Sequence, residues 1–155
     1  MRVSIRPLTA ADVEAMRAWR YDPPYERYDI DADPGDVDLM LAGAASGEVW
    51  YAANDVETGE LAGFFEFVLL GDEIEVGLGL RPDLTGRGLG AGYLEQGLAF
   101  ARERWSPASF SLDVYEWNGR AIRAYERAGF ARGDVYRRRF PDGTEKDFLR
   151  MTRQA

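Results

Sequence analysis

Between Val49 and Leu80 the chain passes through three apolar, strand-like stretches joined only by turn formers. Val49–Ala53, Leu61–Leu70 and Glu73–Leu80 are separated by Asn54-Asp55, Thr58-Gly59 and Gly71-Asp72, so the three pair antiparallel. The last of them breaks at Pro82, crosses the turn Thr85-Gly86-Arg87-Gly88-Leu89-Gly90 and enters an amphipathic helix. Gly86, Gly88 and Gly90 leave backbone N–H groups uncovered where a helix offers its unsatisfied amides and the positive end of its dipole. Such a turn suits a phosphate or pyrophosphate, and Arg87 adds a charge that reaches the same anion.

The remaining segments complete a mixed pattern. Val3 and Ile5 alternate with Ser4 and Arg6 as a first strand. Thr9 with Asp12 three residues on reads as an N-cap and capping-box pair, opening a helix to about Arg20 with Val13, Met16 and Trp19 on one stripe. Tyr21 to Gly35 is irregular, with Pro23, Pro24 and Pro34, and Asp36 to Ala45 is a second helix with Val37, Met40 and Leu41 inward. After the glycines a long helix spans about Gly88–Trp105, burying Leu94, Leu98 and Ala101. Phe110–Tyr115 is a strand, Asn118 caps a helix to Ala128, and Gly129 ends it. Val135–Phe140 and Glu145–Met151 form a hairpin around Pro141-Asp142-Gly143. The order β-α-α-β-β-β-α-β-α-β-β predicts one α/β (α+β) domain over residues 1–155.

Composition removes whole classes of chemistry. The chain has neither cysteine nor histidine, which excludes disulfides, thiolate nucleophiles, Ser-His-Asp triads and ordinary zinc sites; no metal is expected. Lys146 is the one lysine, so Schiff-base chemistry is disfavoured. Proton transfer falls to Asp, Glu, Tyr, Lys, water or the backbone. Residues 1–80 carry a net −12 and residues 81–155 a net +4. The basic half suits an anionic cofactor; the acidic half suits a cationic acceptor or serves solubility. An overall charge of −8 makes nucleic acid a poor partner. No apolar run reaches the ~20 residues that span a bilayer, and Met1–Arg6 alternates like a strand where a secretory signal would be apolar, so a cytoplasmic protein free of membrane is expected.

Alone, the glycine turn is ambiguous. Gly86, Gly88 and Ala91 also satisfy Gly-x-Gly-x-x-Ala, with Asp113 22 residues after Ala91, as in nicotinamide- or flavin-binding oxidoreductases. That fingerprint opens a βαβαβ domain, whereas here about half the chain precedes it and one βα unit with a hairpin follows. A plain helix start is also disfavoured, because each glycine costs a helix about 1 kcal/mol relative to alanine. A second constellation runs Asn118-Gly119-Arg120-Ala121-Ile122-Arg123-Ala124-Tyr125-Glu126-Arg127-Ala128-Gly129-Phe130, with Asn118, Ala121 and Tyr125 on one helix face. Its simpler reading is an N-cap and a half-buried core aromatic.

Together the two segments resemble the GNAT superfamily of acyl-CoA-dependent N-acyltransferases. Thr85-Gly86-Arg87-Gly88-Leu89-Gly90 occupies the family's Gln/Arg-x-x-Gly-x-Gly/Ala loop, with Thr85 in place of the usual long polar residue. Asn118, Ala121, Tyr125, Gly129 and Phe130 meet its Asn-x-x-Ala-x-x-x-Tyr-x-x-x-Gly-Phe motif. The resemblance implies a mostly antiparallel sheet flanked by helices, with splayed central strands. It implies acetyl-CoA as co-substrate, with pantetheine along the backbone of Leu78, Gly79 and Leu80 and the pyrophosphate on Thr85, Gly86, Arg87, Gly88, Leu89, Gly90 and Ala91. Asn118 would orient pantetheine or tyrosine, and Tyr125 would protonate the departing thiolate. Glu75 is the candidate base, with Glu73 and Glu66 as alternatives, and a backbone N–H near Leu80 could hold the oxyanion. Trp19, Tyr21, Tyr25 and Tyr28, with Asp29, Asp31, Asp33, Asp36 and Asp38, lie in the region expected to receive a small-molecule or protein amine. Exposed aromatics suit a homodimer. A non-catalytic CoA-binding module stays open as the alternative.

Overall fold

Alternating and capped segments become seven strands and four α-helices in the computed structural model, which describes residues 1–155. In chain order they are β1 (Val3–Pro7), α1 (Ala10–Met16), α2 (Pro34–Ser46), β2 (Trp50–Asp55), β3 (Leu61–Leu70), β4 (Glu73–Leu80), α3 (Gly90–Trp105), β5 (Ser109–Tyr115), α4 (Gly119–Arg127), β6 (Ala131–Arg139) and β7 (Glu145–Gln154). The sheet order is β1-β2-β3-β4-β5-β7-β6. Pairing is antiparallel at β1–β2, β2–β3, β5–β7 and β6–β7, and parallel between β4 and β5. This is the mixed, mostly antiparallel α+β class expected. No helix is long and apolar enough to cross a membrane.

The chain divides into two compact units: Met1–Glu66 with Leu78–Arg87, and Phe67–Gly77 with Gly88–Ala155. In the first, Leu8, Val13, Met16, Ile30, Met40 and Ala52 form a buried cluster, with Trp19, Val37, Trp50, Leu61 and Phe64 packed around it. Thr9 and Asp12 close the capping box at α1. The Arg6 guanidinium meets Asp12 through Nη1 at 2.7 Å and Nη2 at 2.8 Å. Helix α1 stops at Met16, short of the expected Arg20. Ala18 and Trp19 donate to Ala15 and Met16, a tighter i→i−3 turn, while the Arg20 guanidinium takes the carbonyls of Arg17 and Trp19. The tightened turn is what puts Trp19 against the core.

Helix α2 starts at Pro34, before the expected Asp36, because Asp33 is its N-cap and proline at the first helical position forfeits no hydrogen bond. Leu41, expected inward, is exposed; Met40 and Val37 make the contact with the core, since adjacent helix positions point about 100° apart. The preceding irregular stretch holds two short 3₁₀ turns, Glu26–Tyr28 and Ile30–Ala32. Strand β2 begins at Trp50, since Val49 lies at φ 71°, outside the extended region.

In the second unit α3 buries Tyr93, Leu94, Gly97, Leu98 and Ala101, and Phe100 and Trp105 pack with Phe67, centroids 5.9 and 5.5 Å away. The helix begins at Gly90, two residues later than expected, because Gly88 at φ +76° is not helical. Strand β5 turns the buried Phe110, Leu112 and Val114 to one face and Ser111, Asp113 and Tyr115 to the other, where Ser111 is also buried. The tail hairpin is longer than its apolar pattern predicts: β6 starts at Ala131 and β7 runs to Gln154. All nine residues of β6 are exposed, so it has no buried face for the sequence to reveal, and backbone pairing such as Ala131↔Thr152 holds it.

Burial alone would raise the Asp12 carboxyl, but hydrogen bonds from Arg6 and from the Thr9 hydroxyl and amide outweigh it and bring it down to about 2. A carboxylate lowered on folding stabilises fully above its unfolded value near 3.8 and loses that contribution as pH falls through about 2. Asp12→Asn is therefore expected to lower stability at pH 7 by roughly 1–3 kcal/mol. In denaturant titrations the gap from the parent should narrow between pH 4 and 2; a gap constant with pH would contradict this.

Candidate active site

The backbone at the end of β4 sets the geometry. Arg81 N–H donates to Ala62 O at 2.8 Å, so Arg81 and, by alternation, Gly79 face β3, while the main-chain groups of Leu78 and Leu80 point to the opposite side. On that side the ladder with β5 holds three pairs, Glu73↔Ser109, Ile74↔Phe110 and Glu75↔Ser111, and stops. Leu80 O instead accepts the Tyr21 hydroxyl at 2.8 Å. Gly79 has a packing reason: a Cβ there would run into the Phe64 ring. Arg81 braces this corner, donating to Leu61 O and Glu60 at 3.1 Å and to Asp83 at 2.7 Å.

Beyond it Pro82–Leu84 makes one 3₁₀ turn with Leu84 buried. The Thr85 hydroxyl donates to Pro82 O at 2.7 Å, so its proton is committed to its own turn. Gly86 (φ +71°) and Gly88 (φ +76°) hold left-handed conformations that bring successive amides to the start of α3. Leu89, the N-cap residue, supplies no side-chain cap, and the first turn of α3 contains no acid. The amides there are left uncapped by the protein's side chains, and Arg87 is exposed beside them in sequence. Gly90 also serves packing, because a Cβ would lie 3.3 Å from Ala124 Cβ on α4. Ala91 is half-buried in the first turn.

On α4, buried Asn118 accepts Ala121 N–H at 3.1 Å as the N-cap. Tyr125 follows on the same helix, and burial pushes its hydroxyl up to about 12, so it stays protonated throughout the neutral range. Glu75 and Glu73 come together in a cluster that sequence reading missed. Arg150 on β7 reaches Glu75 Oε2 at 2.6 Å, Glu73 Oε1 at 2.9 Å and Asp113 Oδ2 at 3.2 Å. It also donates to the Ser111 hydroxyl at 2.8 Å, and Tyr136 donates to Asp113 at 2.8 Å. Burial, the bond to Asp113 and its charge push the Tyr136 hydroxyl up to about 12. The available signal was a lone arginine between the apolar Leu149 and Met151, facing away from the core they enter. Glu66 stands apart on β3, opposite Trp50.

The expected acceptor residues divide. Trp19 packs against the first unit's core. Tyr21 and Tyr28 meet edge to face with centroids 6.3 Å apart, and Tyr25 begins the turn between them. Several of the accompanying acids hold structure: Asp29 Oδ1 accepts Tyr21 N–H at 2.8 Å, Asp31 pairs with Arg17 at 3.0 Å, and Asp33 caps α2.

Comparison with known proteins agrees with this architecture. A family model described as the acetyltransferase (GNAT) domain matches residues 2–131, and the chain belongs to that family of acyltransferases. No curated protein sequence matches it. An acetyltransferase (GNAT family) from Bacillus anthracis superposes with a TM-score of 0.79 at 18% identity, covering 99% of this chain and 95% of that one. A spermidine N-acetyltransferase from Vibrio cholerae, in complex with CoA and spermine, gives 0.72 at 17% identity over 98% and 95%. An aminoglycoside acetyltransferase in complex with coenzyme A gives 0.73 at 20% over 99% and 95%. At these identities the likeness is one of fold.

Arg150→Met should leave three carboxylates facing one another without a cation. Their uncompensated repulsion is expected to lower stability at pH 7 by about 1–3 kcal/mol. Thermal unfolding of parent and variant at low and high salt checks it: screening should narrow the deficit, and a deficit indifferent to salt would refute the electrostatic role.

Proposed function

We propose that residues 1–155 form a single N-acetyltransferase domain that moves an acetyl group from acetyl-CoA to the primary amine of a small molecule, by direct attack in a ternary complex. The observation that carries this reading is the uncapped start of α3 behind two left-handed glycines, which offers main-chain donors to an anion such as a pyrophosphate. Gly86, Arg87, Gly88, Leu89, Gly90 and Ala91 would hold that group, mostly through amides and the Arg87 charge, with Thr85 bracing the turn. The outward main-chain groups of Leu78 and Leu80 would pair with the pantetheine amides, as Gly79 keeps the strand packed on Phe64.

The acceptor nitrogen attacks the thioester carbonyl, the C–S bond breaks, and the departing sulfur takes a proton. Tyr125 supplies it, since a hydroxyl held near 12 is protonated at every working pH. Asn118, fixed as the α4 cap, orients the adjoining group. An alkyl ammonium is almost wholly protonated at neutral pH and must lose a proton before attack. With Glu75 Oε2 held by Arg150 at 2.6 Å, we assign that transfer to a water bound at the carboxylate. A main-chain N–H near Leu80 would stabilise the oxyanion. Tyr25 and Tyr28 would line the acceptor side. The structural neighbours named for spermidine and aminoglycosides support a small polyamine or amino sugar as the acceptor class.

A thiol-release assay with acetyl-CoA and a panel of polyamines and amino sugars is expected to show turnover. Acetyl-CoA at 100 times its dissociation constant should add about 2.7 kcal/mol of stability in a thermal-shift titration, and NADH none. Tyr125→Phe should lower kcat by roughly 10²–10⁴ with CoA affinity nearly kept. CoA binding without turnover on any amine would instead mark a non-catalytic binding module.

A further inference from the structure

One hydroxyl ties the segment expected to receive the acceptor to the strand expected to receive the donor. Tyr21 Oη donates to Leu80 O at 2.8 Å, on the side of β4 turned away from β3. The peptide linking Leu80 to Arg81 is thereby held at both ends, its oxygen by Tyr21 and its N–H by Ala62 O at 2.8 Å. Tyr21 is itself fixed twice: its N–H donates to Asp29 Oδ1 at 2.8 Å, and its ring meets Tyr28 edge to face. Asp29 also faces Arg20, whose guanidinium closes the end of α1. The segment from Arg20 to Asp29 is thus connected, through the Tyr21 hydroxyl, to the last residue of β4.

We infer that Tyr21 is a positioning residue: it sets the acceptor segment against the open edge of β4, so that a donor bound along that edge also orders residues 20–29. The inference rests on the N-acetyltransferase reading of the site. A carbonyl oxygen has two lone pairs, so Leu80 O keeps the Tyr21 bond and still accepts a second donor. The contact therefore does not compete with the donor; it links the two binding events, and linkage makes the effect reciprocal. The role belongs to the hydroxyl, since the ring packing with Tyr28 does not need it.

Hydrogen exchange of the parent and Tyr21→Phe, each with and without saturating CoA, tests this directly. In the parent, CoA should slow exchange in residues 78–92 and also in residues 20–29. In Tyr21→Phe the slowing over 78–92 should persist, while that over 20–29 falls several-fold. Equal CoA-induced protection of 20–29 in both proteins would overturn the inference while leaving the donor site standing. No CoA-induced protection at 78–92 in either protein would overturn the reading of the site, and the inference with it. With an amine identified by the thiol-release panel, the variant should raise acceptor KM about tenfold, the scale of one lost hydrogen bond, with the acetyl-CoA KM unchanged. An equal rise in both constants would count against the assignment.

Discussion

Three parallel residue pairs, from Glu73 to Glu75 on β4 and from Ser109 to Ser111 on β5, are the whole of the ladder between these strands, although both run on beyond it. Backbone amides and carbonyls seek partners, and a strand that outlives its ladder has main-chain groups left to satisfy. Strand β5 is paired with β7 over its whole length, from Ser109↔Gln154 to Tyr115↔Phe148, but on the edge away from β4. Strand β4 finds one such partner on its outward side at Leu80, in the Tyr21 hydroxyl. The short ladder thus leaves room for the Tyr21 bond and, on the function proposed above, for a donor along the same edge.

Arg150 secures the point where the ladder ends. Its guanidinium reaches from β7 to Ser111 and Asp113 on β5 and to Glu73 and Glu75 on β4, joining through side chains three strands just where the main-chain ladder between β4 and β5 ends at Glu75↔Ser111. One cation among three carboxylates leaves the cluster anionic. Its members keep between 18% (Asp113) and 36% (Glu75) of their side-chain surface exposed, so solvent lowers, without removing, the desolvation cost of an ion cluster.

Much of this was legible in the sequence where a pattern had a local cause. The Thr9–Asp12 capping box, the glycine turn after Pro82, the Leu94–Leu98–Ala101 stripe and the Asn118 cap each depend on neighbours a few residues away, and each falls where the residues place it. The misjudged features depend on partners distant in the chain. Helix α1 ends early because Trp19 is drawn to a core built from Ile30, Met40 and Ala52. Strand β6 is held by β7 and has no buried face of its own. The Arg150 cluster joins residues up to 77 positions apart, and no local spacing announces it. The resemblance gave Gly79 and Gly90 roles toward a ligand; the packing reasons, room for the Phe64 ring at Gly79 and close approach of α3 to α4 at Gly90, come from partners distant in the chain.

Strand β6 occupies one end of the sheet order, and its far side carries no ladder. The outward-facing main-chain groups of such an edge are a template on which another polypeptide can add, the first step of fibre growth. Four of the nine residues of β6 are arginines. Arg132 and Arg137 are paired with Glu126 and Asp147, and a charged edge of this kind is one at which strand-to-strand growth of the sheet is disfavoured.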